Sequence, residues 1–261
     1  MIQLGICGWC LDVKGVETVK RASELGFDTM QIGVHSFDDV DTLSDPDVQA
    51  QYIEASKAHN INMIGLSISV FDSFSFHHPD NEPRIWGVLT RMIDAMIAMD
   101  VDLAYCPSFE ASRITSSEEM TRVADLLRRA CEYIGDRSLS FATENTLDVA
   151  GHRDLLNQVN HPKLKVLVDA YNPTVFGHHA SDQIRELSDV LINQIHAKDG
   201  NNHVMGSAPL GTGEGEFDKT TQAILDINYD GYVITENNYD VDAEWRVQAD
   251  VATLKRLLQL T

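Results

Sequence analysis

The chain has 261 residues, 43% of them apolar and 23% charged, with 40 acidic against 20 basic side chains and a formal net charge of −20. Such a field repels nucleic acid and anionic membrane surfaces, which need Lys and Arg to displace counterions, and no run of about 18 apolar residues offers a membrane span. The length suits a single domain over 1–261, since α/β barrels reach about 250 residues as one unit.

From Met1 the chain runs directly into an apolar segment, Gln3–Cys7, without a basic leader, which points to a cytoplasmic protein. Cys7-Gly8-Trp9-Cys10 follows. A redox dithiol of this spacing should open a helix, yet 11–15 reads as a loop, and Cys106 and Cys131 complete no second pair. Free thiols in a reducing compartment are expected.

Further short apolar runs lie at 29–32, 63–67, 103–105, 139–142, 165–168, 192–196 and 232–235. They are too continuously apolar for half-exposed antiparallel strands and read as parallel strands covered on both faces. Amphipathic helices separate them. Pro46 sits where a first helical turn tolerates it. Ile85, Val88, Leu89, Met92, Ile93 and Met96 follow one helical stripe, as do Met120, Val123, Leu127, Ala130 and Ile134, where Ser116 or Ser117 with Glu119 forms a cap. Val247, Val251, Leu254 and Leu258 mark the last helix. Eight strand–helix units in unbroken alternation argue for an α/β fold of the (β/α)8 TIM-barrel type. A doubly wound sheet would place a Gly-rich phosphate turn after its first strand, where Trp9 and Cys10 stand instead.

Four runs end on a polar residue with ligating power: Glu144, Asp169, His196 and Glu236, separated by 25, 27 and 40 residues. In a closed parallel barrel these positions share the C-terminal rim. Alone, each reads as a helix cap or a loop residue; four matching placements in consecutive units do not. Three carboxylates and one imidazole suit a divalent ion, Mn²⁺ first, with Mg²⁺ or Co²⁺ as alternatives.

Glu144-Asn145, Val168-Asp169, His196-Ala197-Lys198-Asp199, the Pro209–Gly215 stretch PLGTGEG, and Asp230-Gly231-Tyr232 leading to Glu236 resemble the xylose isomerase-like barrel superfamily. Within it they are similar to the sugar isomerase and ketose 3-epimerase branch. The resemblance implies that Glu144, Asp169, His196 and Glu236 are the metal ligands. It also makes Glu144 and Glu236 the acid/base pair that moves a proton through an enediolate of a keto-sugar or related polyol. By analogy it implies a homodimer or homotetramer.

The chain departs from the 3-epimerase pattern at Asn172, where those enzymes carry a His, at Asn202, where they carry an Arg, and at Ala150, where they carry a Glu. The substrate set therefore does not transfer. Candidate substrate contacts are Trp9, His35, Asn145, Asn172 and Lys198, the last on condition that its strand runs two residues past His196. His178 and His179 read as a solvated loop pair. Glu214 and Glu216 flank the glycines of the 209–215 loop and oppose a phosphate there, which favours a neutral sugar, keto-inositol or sugar acid. The runner-up activity is a lyase of the keto-inositol dehydratase type. A nuclease lacks its basic groove, and a non-catalytic sugar-binding barrel has no need of both glutamates.

Overall fold

The computed structural model describes residues 1–260. Its main sheet is a closed barrel of parallel strands in the order β1-β10-β7-β6-β5-β4-β3-β2. The strands are β1 (Gln3–Cys7), β2 (Thr29–Val34), β3 (Asn62–Ile68), β4 (Leu103–Ser108), β5 (Ser140–Asn145), β6 (Leu164–Asp169), β7 (Leu191–Ala197) and β10 (Tyr232–Thr235). A short hairpin, β8 (Gly200–Asn201) with β9 (Val204–Met205), follows β7. The helices are α1 (Glu17–Glu24), α2 (Phe37–Leu43), α3 (Pro46–His59), α4 (Glu82–Ala98), α5 (Ser117–Ile134), α6 (Val149–Val159), α7 (Asn172–Val175), α8 (Ala180–Glu186), α9 (Phe217–Asp226) and α10 (Ala243–Leu257). Among the described residues no helix is long and apolar enough to cross a membrane.

Local chemistry sets the helix ends. Ser116 accepts the Glu119 N–H while the Glu119 carboxylate returns to the cap backbone, so α5 opens on a capping box; Ser36 and Asp39 do the same for α2. Pro46 is the first residue of α3. The anticipated stripes of α4 and α5 face inward: Ile85, Val88, Leu89, Met92, Ile93 and Met96 of α4 are all buried, as are Met120, Val123, Leu127, Ala130 and Ile134 of α5, whereas Val251 in the α10 stripe is only half-buried.

Contact density divides the chain into two units, and the division runs through β2, β3 and β6 rather than between elements. One unit comprises 1–30, 59–62 and the chain from Leu167 onward; the other comprises 31–58 and 63–166. In the first, β1 pairs with β10 from Gln3↔Tyr232 to Ile6↔Thr235, and β10 with β7 up to Thr235↔Ala197. Gly5 is required there: a Cβ would stand 2.7 Å from both Ile234 Cδ1 and Thr29 Oγ1. In the second, β3, β4 and β5 pair in register, and buried Tyr105 donates to Gln31 Oε1 at 3.1 Å.

The structure lengthens several anticipated strands at their C-terminal ends. Apolar runs end at the first polar side chain, but the backbone ladder is indifferent to side-chain polarity. Pro107↔Glu144 and Ser108↔Asn145 remain in register, so Glu144 lies inside β5 rather than beyond it. The helix after β6 is two short pieces, α7 and α8, and the hairpin β8–β9 and helix α2 carry no apolar stripe long enough to be seen in the sequence.

Candidate metal centre

Asp169 is the last residue of β6, His196 the last but one of β7, and Glu236 follows β10 directly. Hydrogen bonding continues past the strands: the Ala170 N–H donates to the His196 carbonyl at 2.9 Å, and the Glu236 N–H to the Ala197 carbonyl at 3.0 Å. The three backbones are thus tied together at the point where their side chains emerge. One donor atom from each of Asp169, His196 and Glu236 lies within 4.8 Å of the other two. Asp169 and His196 are buried, and the Glu236 side chain is only 13% exposed.

Asp169 is anchored by one oxygen and presents the other. Its Oδ1 accepts the N–H groups of Tyr171 and Asn172 at 2.8 and 2.6 Å. Its Oδ2, like Glu236 Oε2, is buried and receives no well-directed hydrogen bond. The ammonium of Lys198 faces these two oxygens at 3.6 and 2.8 Å, and His196 Nδ1 stands 2.9 Å from Glu236 Oε2. The other Glu236 oxygen, Oε1, accepts the Trp9 indole N–H at 3.2 Å. The indole meets the His196 ring edge-on at a centroid distance of 6.2 Å.

The electrostatics differ between the two carboxylates. Burial raises the Asp169 carboxyl despite the pull of Lys198. Glu236 feels the same burial, but Lys198 and His196 outweigh it and hold the carboxyl well below the usual carboxylate range. Cys7 completes the wall, its thiol within 4.8 Å of donor atoms of His196 and Glu236. Burial first, then a hydrogen bond with Cys10 and the charge of Glu236, push that thiol up, so it stays protonated at neutral pH. The donors on offer are carboxylate oxygens and an imidazole. Buried carboxylate oxygens are costly unless a cation meets them; here the Lys198 ammonium does so, and an oxygen-rich set with one imidazole suits a divalent ion in the same space. None of the four cysteines is in a disulfide.

The remaining candidates sort clearly. Lys198 reaches the centre, but not by the route expected: β7 stops at Ala197, one residue short of the stated condition, and the length of the side chain makes the contact. Asn172 Oδ1 accepts from the Lys198 ammonium at 3.2 Å, so the residue standing where 3-epimerases carry a His holds the lysine. His179 lies away from the cluster, paired with Glu216 at 2.8 Å on the surface. Asn202 and His203, at and beside the position of the expected Arg, both have positive φ and form the turn of the β8–β9 hairpin. In the second unit, Glu144 is buried within β5. Asn145 is committed locally, donating to Thr143 Oγ1 and accepting the Leu147 N–H. His35 is exposed just after β2, where its backbone N–H donates to Asp39 Oδ2 at 3.0 Å.

The fully buried Asp199 has a role that the sequence reading did not assign. Its Oδ1 accepts the N–H groups of Gly200 and Gly215 at 2.9 and 3.1 Å, and its Oδ2 those of Gly211 and Gly213, both at 2.9 Å. Its own N–H donates to Asn237 Oδ1 at 3.0 Å, and Asn237 Nδ2 donates to Asp250 Oδ2 at 2.8 Å. A Cβ on Gly213 would collide with the Asp199 carboxylate and the Gly200 carbonyl. The H-x-K-D and PLGTGEG segments are therefore one folded object, with a carboxylate already occupying the loop's N–H groups. The signal was present in an Asp shortly ahead of a glycine loop that has no phosphate-binding spacing.

A closed parallel barrel with ligating groups on its strand ends defines the class of protein. Residues 19–257 match the sequence profile of the xylose isomerase-like TIM barrel family. The chain belongs to that family. It is 26% identical, over 97% of its length and 94% of the relative's, to a 2-epi-5-epi-valiolone 7-phosphate 2-epimerase from an Actinoplanes species. In structure it is similar to D-psicose 3-epimerase from Clostridium cellulolyticum H10, with a TM-score of 0.78, 17% identity, and 98% and 99% of the two chains covered. The 3-keto-D-glucoside 4-epimerase of E. coli superposes with a TM-score of 0.77 at 15% identity, covering 98% of this chain and all of the other.

Proposed function

We propose that the protein is a divalent-metal-dependent epimerase or isomerase of a keto-sugar or keto-polyol, with the ion held by Glu144, Asp169, His196 and Glu236. The observation that carries this reading is the group of Asp169, His196 and Glu236, whose donor atoms crowd within 4.8 Å around buried oxygens that accept no well-directed hydrogen bond. Glu144 is the fourth ligand in this reading because it follows an apolar strand run in the sequence as Asp169, His196 and Glu236 do. Mn²⁺ is the proposed ion, with Mg²⁺ or Co²⁺ able to replace it.

When bound, a divalent ion supplies the Lewis acidity that makes a C–H next to a ketone easier to ionise. Glu144 and Glu236 then act as the acid/base pair. One removes the proton from the carbon beside the carbonyl, and the other delivers a proton to that carbon or to its neighbour. Trp9 fixes the angle of the Glu236 carboxylate through its Oε1, leaving Oε2 for the centre. The named activity of the Actinoplanes relative favours epimerisation over dehydration. The glycine loop has its N–H groups bound by Asp199 and offers no phosphate cradle, which favours a neutral sugar, keto-inositol or sugar acid, although the Actinoplanes relative is named for a 7-phosphate.

The test is proton exchange from deuterated solvent into a panel of ketoses, keto-inositols and their phosphates, with product mass read in parallel. Metal-dependent deuterium incorporation at a carbon beside the ketone, with no loss of water and with chelator abolishing it, is the expected result. Loss of water identifies a dehydratase instead. Exchange that survives chelation, or that persists in a protein carrying both Glu144→Gln and Glu236→Gln, ends the proposal.

A further inference from the structure

We infer that Lys198 is a built-in counter-cation: in the metal-free protein its ammonium holds Asp169 and Glu236 in the arrangement a divalent ion needs, and it gives up that position when the ion enters. The inference rests on the metal-centre reading above and deepens it. Lys198 Nζ lies 2.8 Å from Glu236 Oε2, 3.6 Å from Asp169 Oδ2 and 3.2 Å from Asn172 Oδ1, on a side chain only 8% exposed. The two carboxylate oxygens it faces are the ones that accept no well-directed hydrogen bond. The opposite oxygens are anchored, Asp169 Oδ1 by two backbone N–H groups and Glu236 Oε1 by Trp9. The lysine thus addresses the atoms left for a cation.

Two close buried carboxylates repel strongly when nothing positive stands between them, because little solvent screens them. A compact ammonium on a flexible four-carbon stem supplies that charge without the fixed fork of a guanidinium. Asn172 Oδ1 accepts from the same ammonium. An ion entering the same space meets a competing positive charge, so the lysine that shapes the empty centre also weakens metal binding. The opposed signs separate this role from two others. A purely structural ion pair would lower both metal-free stability and metal affinity when removed. A contact to a substrate oxygen would leave metal affinity unchanged.

The experiment compares wild type with Lys198→Met and Lys198→Arg, each stripped with chelator and dialysed. Mn²⁺ affinity is measured by calorimetric titration, and melting is followed with and without Mn²⁺. Lys198→Met should melt below wild type when metal-free, yet bind Mn²⁺ about tenfold more tightly, the scale of one close charge coupling. Its melting temperature should therefore rise more on metal addition than that of wild type. Lys198→Arg should recover the metal-free melt and bind Mn²⁺ no more tightly than wild type. Equal or weaker Mn²⁺ binding by Lys198→Met, with wild type binding normally, overturns the counter-cation role and leaves the metal centre standing. If wild type binds no divalent ion at all, the metal-centre reading and this inference fall together. Should Lys198→Met not fold, Lys198→Gln in the same titration decides by the same sign.

Discussion

Two buried carboxylate sites lie one after the other along this chain, and they are solved in opposite ways. Asp199 has four backbone N–H groups on its two oxygens and a glycine loop wrapped around it. Asp169 and Glu236 each have one oxygen anchored and the other facing Lys198 without a well-directed hydrogen bond. A fully satisfied buried charge is architecture: it specifies a loop and has nothing left to offer a ligand. A half-satisfied one is kept only where something else completes it. Sequence alone does not tell the two apart, since all three residues are acidic and sit just past or at a strand end. Partner inventories do.

The comparison breaks most decisively at Glu236. Replacement by Gln should lower turnover by roughly 10³-fold, the range of a lost acid/base group, with the fold retained in circular dichroism. Activity within a few-fold of wild type would place the chemistry elsewhere. Next come the paired substitutions Asp169→Asn and Asp199→Asn, followed by chemical denaturation of metal-free protein. At Asp199 the new amide would aim its NH₂ at loop N–H donors, and stability should fall by about 3 kcal/mol. At Asp169 the Oδ1 anchor survives, so stability should shift by less than about 1 kcal/mol while Mn²⁺ affinity drops in titration. Equal destabilisation at both sites would erase the distinction.

Smaller effects sharpen it. Gly213→Ala presses a methyl into the Asp199 carboxylate and should cost about 2 kcal/mol, leaving the Mn²⁺ affinity of the folded protein close to wild type. A large loss of metal binding would show that the glycine loop and the centre are coupled. Trp9→Phe keeps the ring but removes the N–H that anchors Glu236. Turnover should fall about tenfold, the worth of one hydrogen bond to a charged group, with little change in melting temperature. An unchanged rate would return Trp9 to plain packing.

How much of this could be read beforehand depended on the kind of signal. All eight barrel strands announce themselves as apolar runs, because burial on both faces leaves no room for polar alternation. Their C-terminal limits do not, because a polar side chain such as Glu144 or His196 ends the run while the backbone ladder continues. The ligating residues were legible by recurrence and the capping boxes by local spacing. Trp9 was visible as a residue but not as a hydrogen-bond donor to Glu236, 227 positions away. The loop after Lys198 was visible as a motif, yet its purpose as a wrapping for Asp199 depends on donor positions that no linear pattern encodes.

What the amino-acid order determined by itself is the alternation of strands and helices, the acidic surface, and the chemical types at the strand ends, since these follow from periodicity and composition. What only the folded chain decided is which oxygen of each carboxylate is tied down and which faces Lys198. That choice depends on hydrogen bonds among residues far apart in the chain, and it separates the carboxylates free to meet an ion from the one that holds a loop in place.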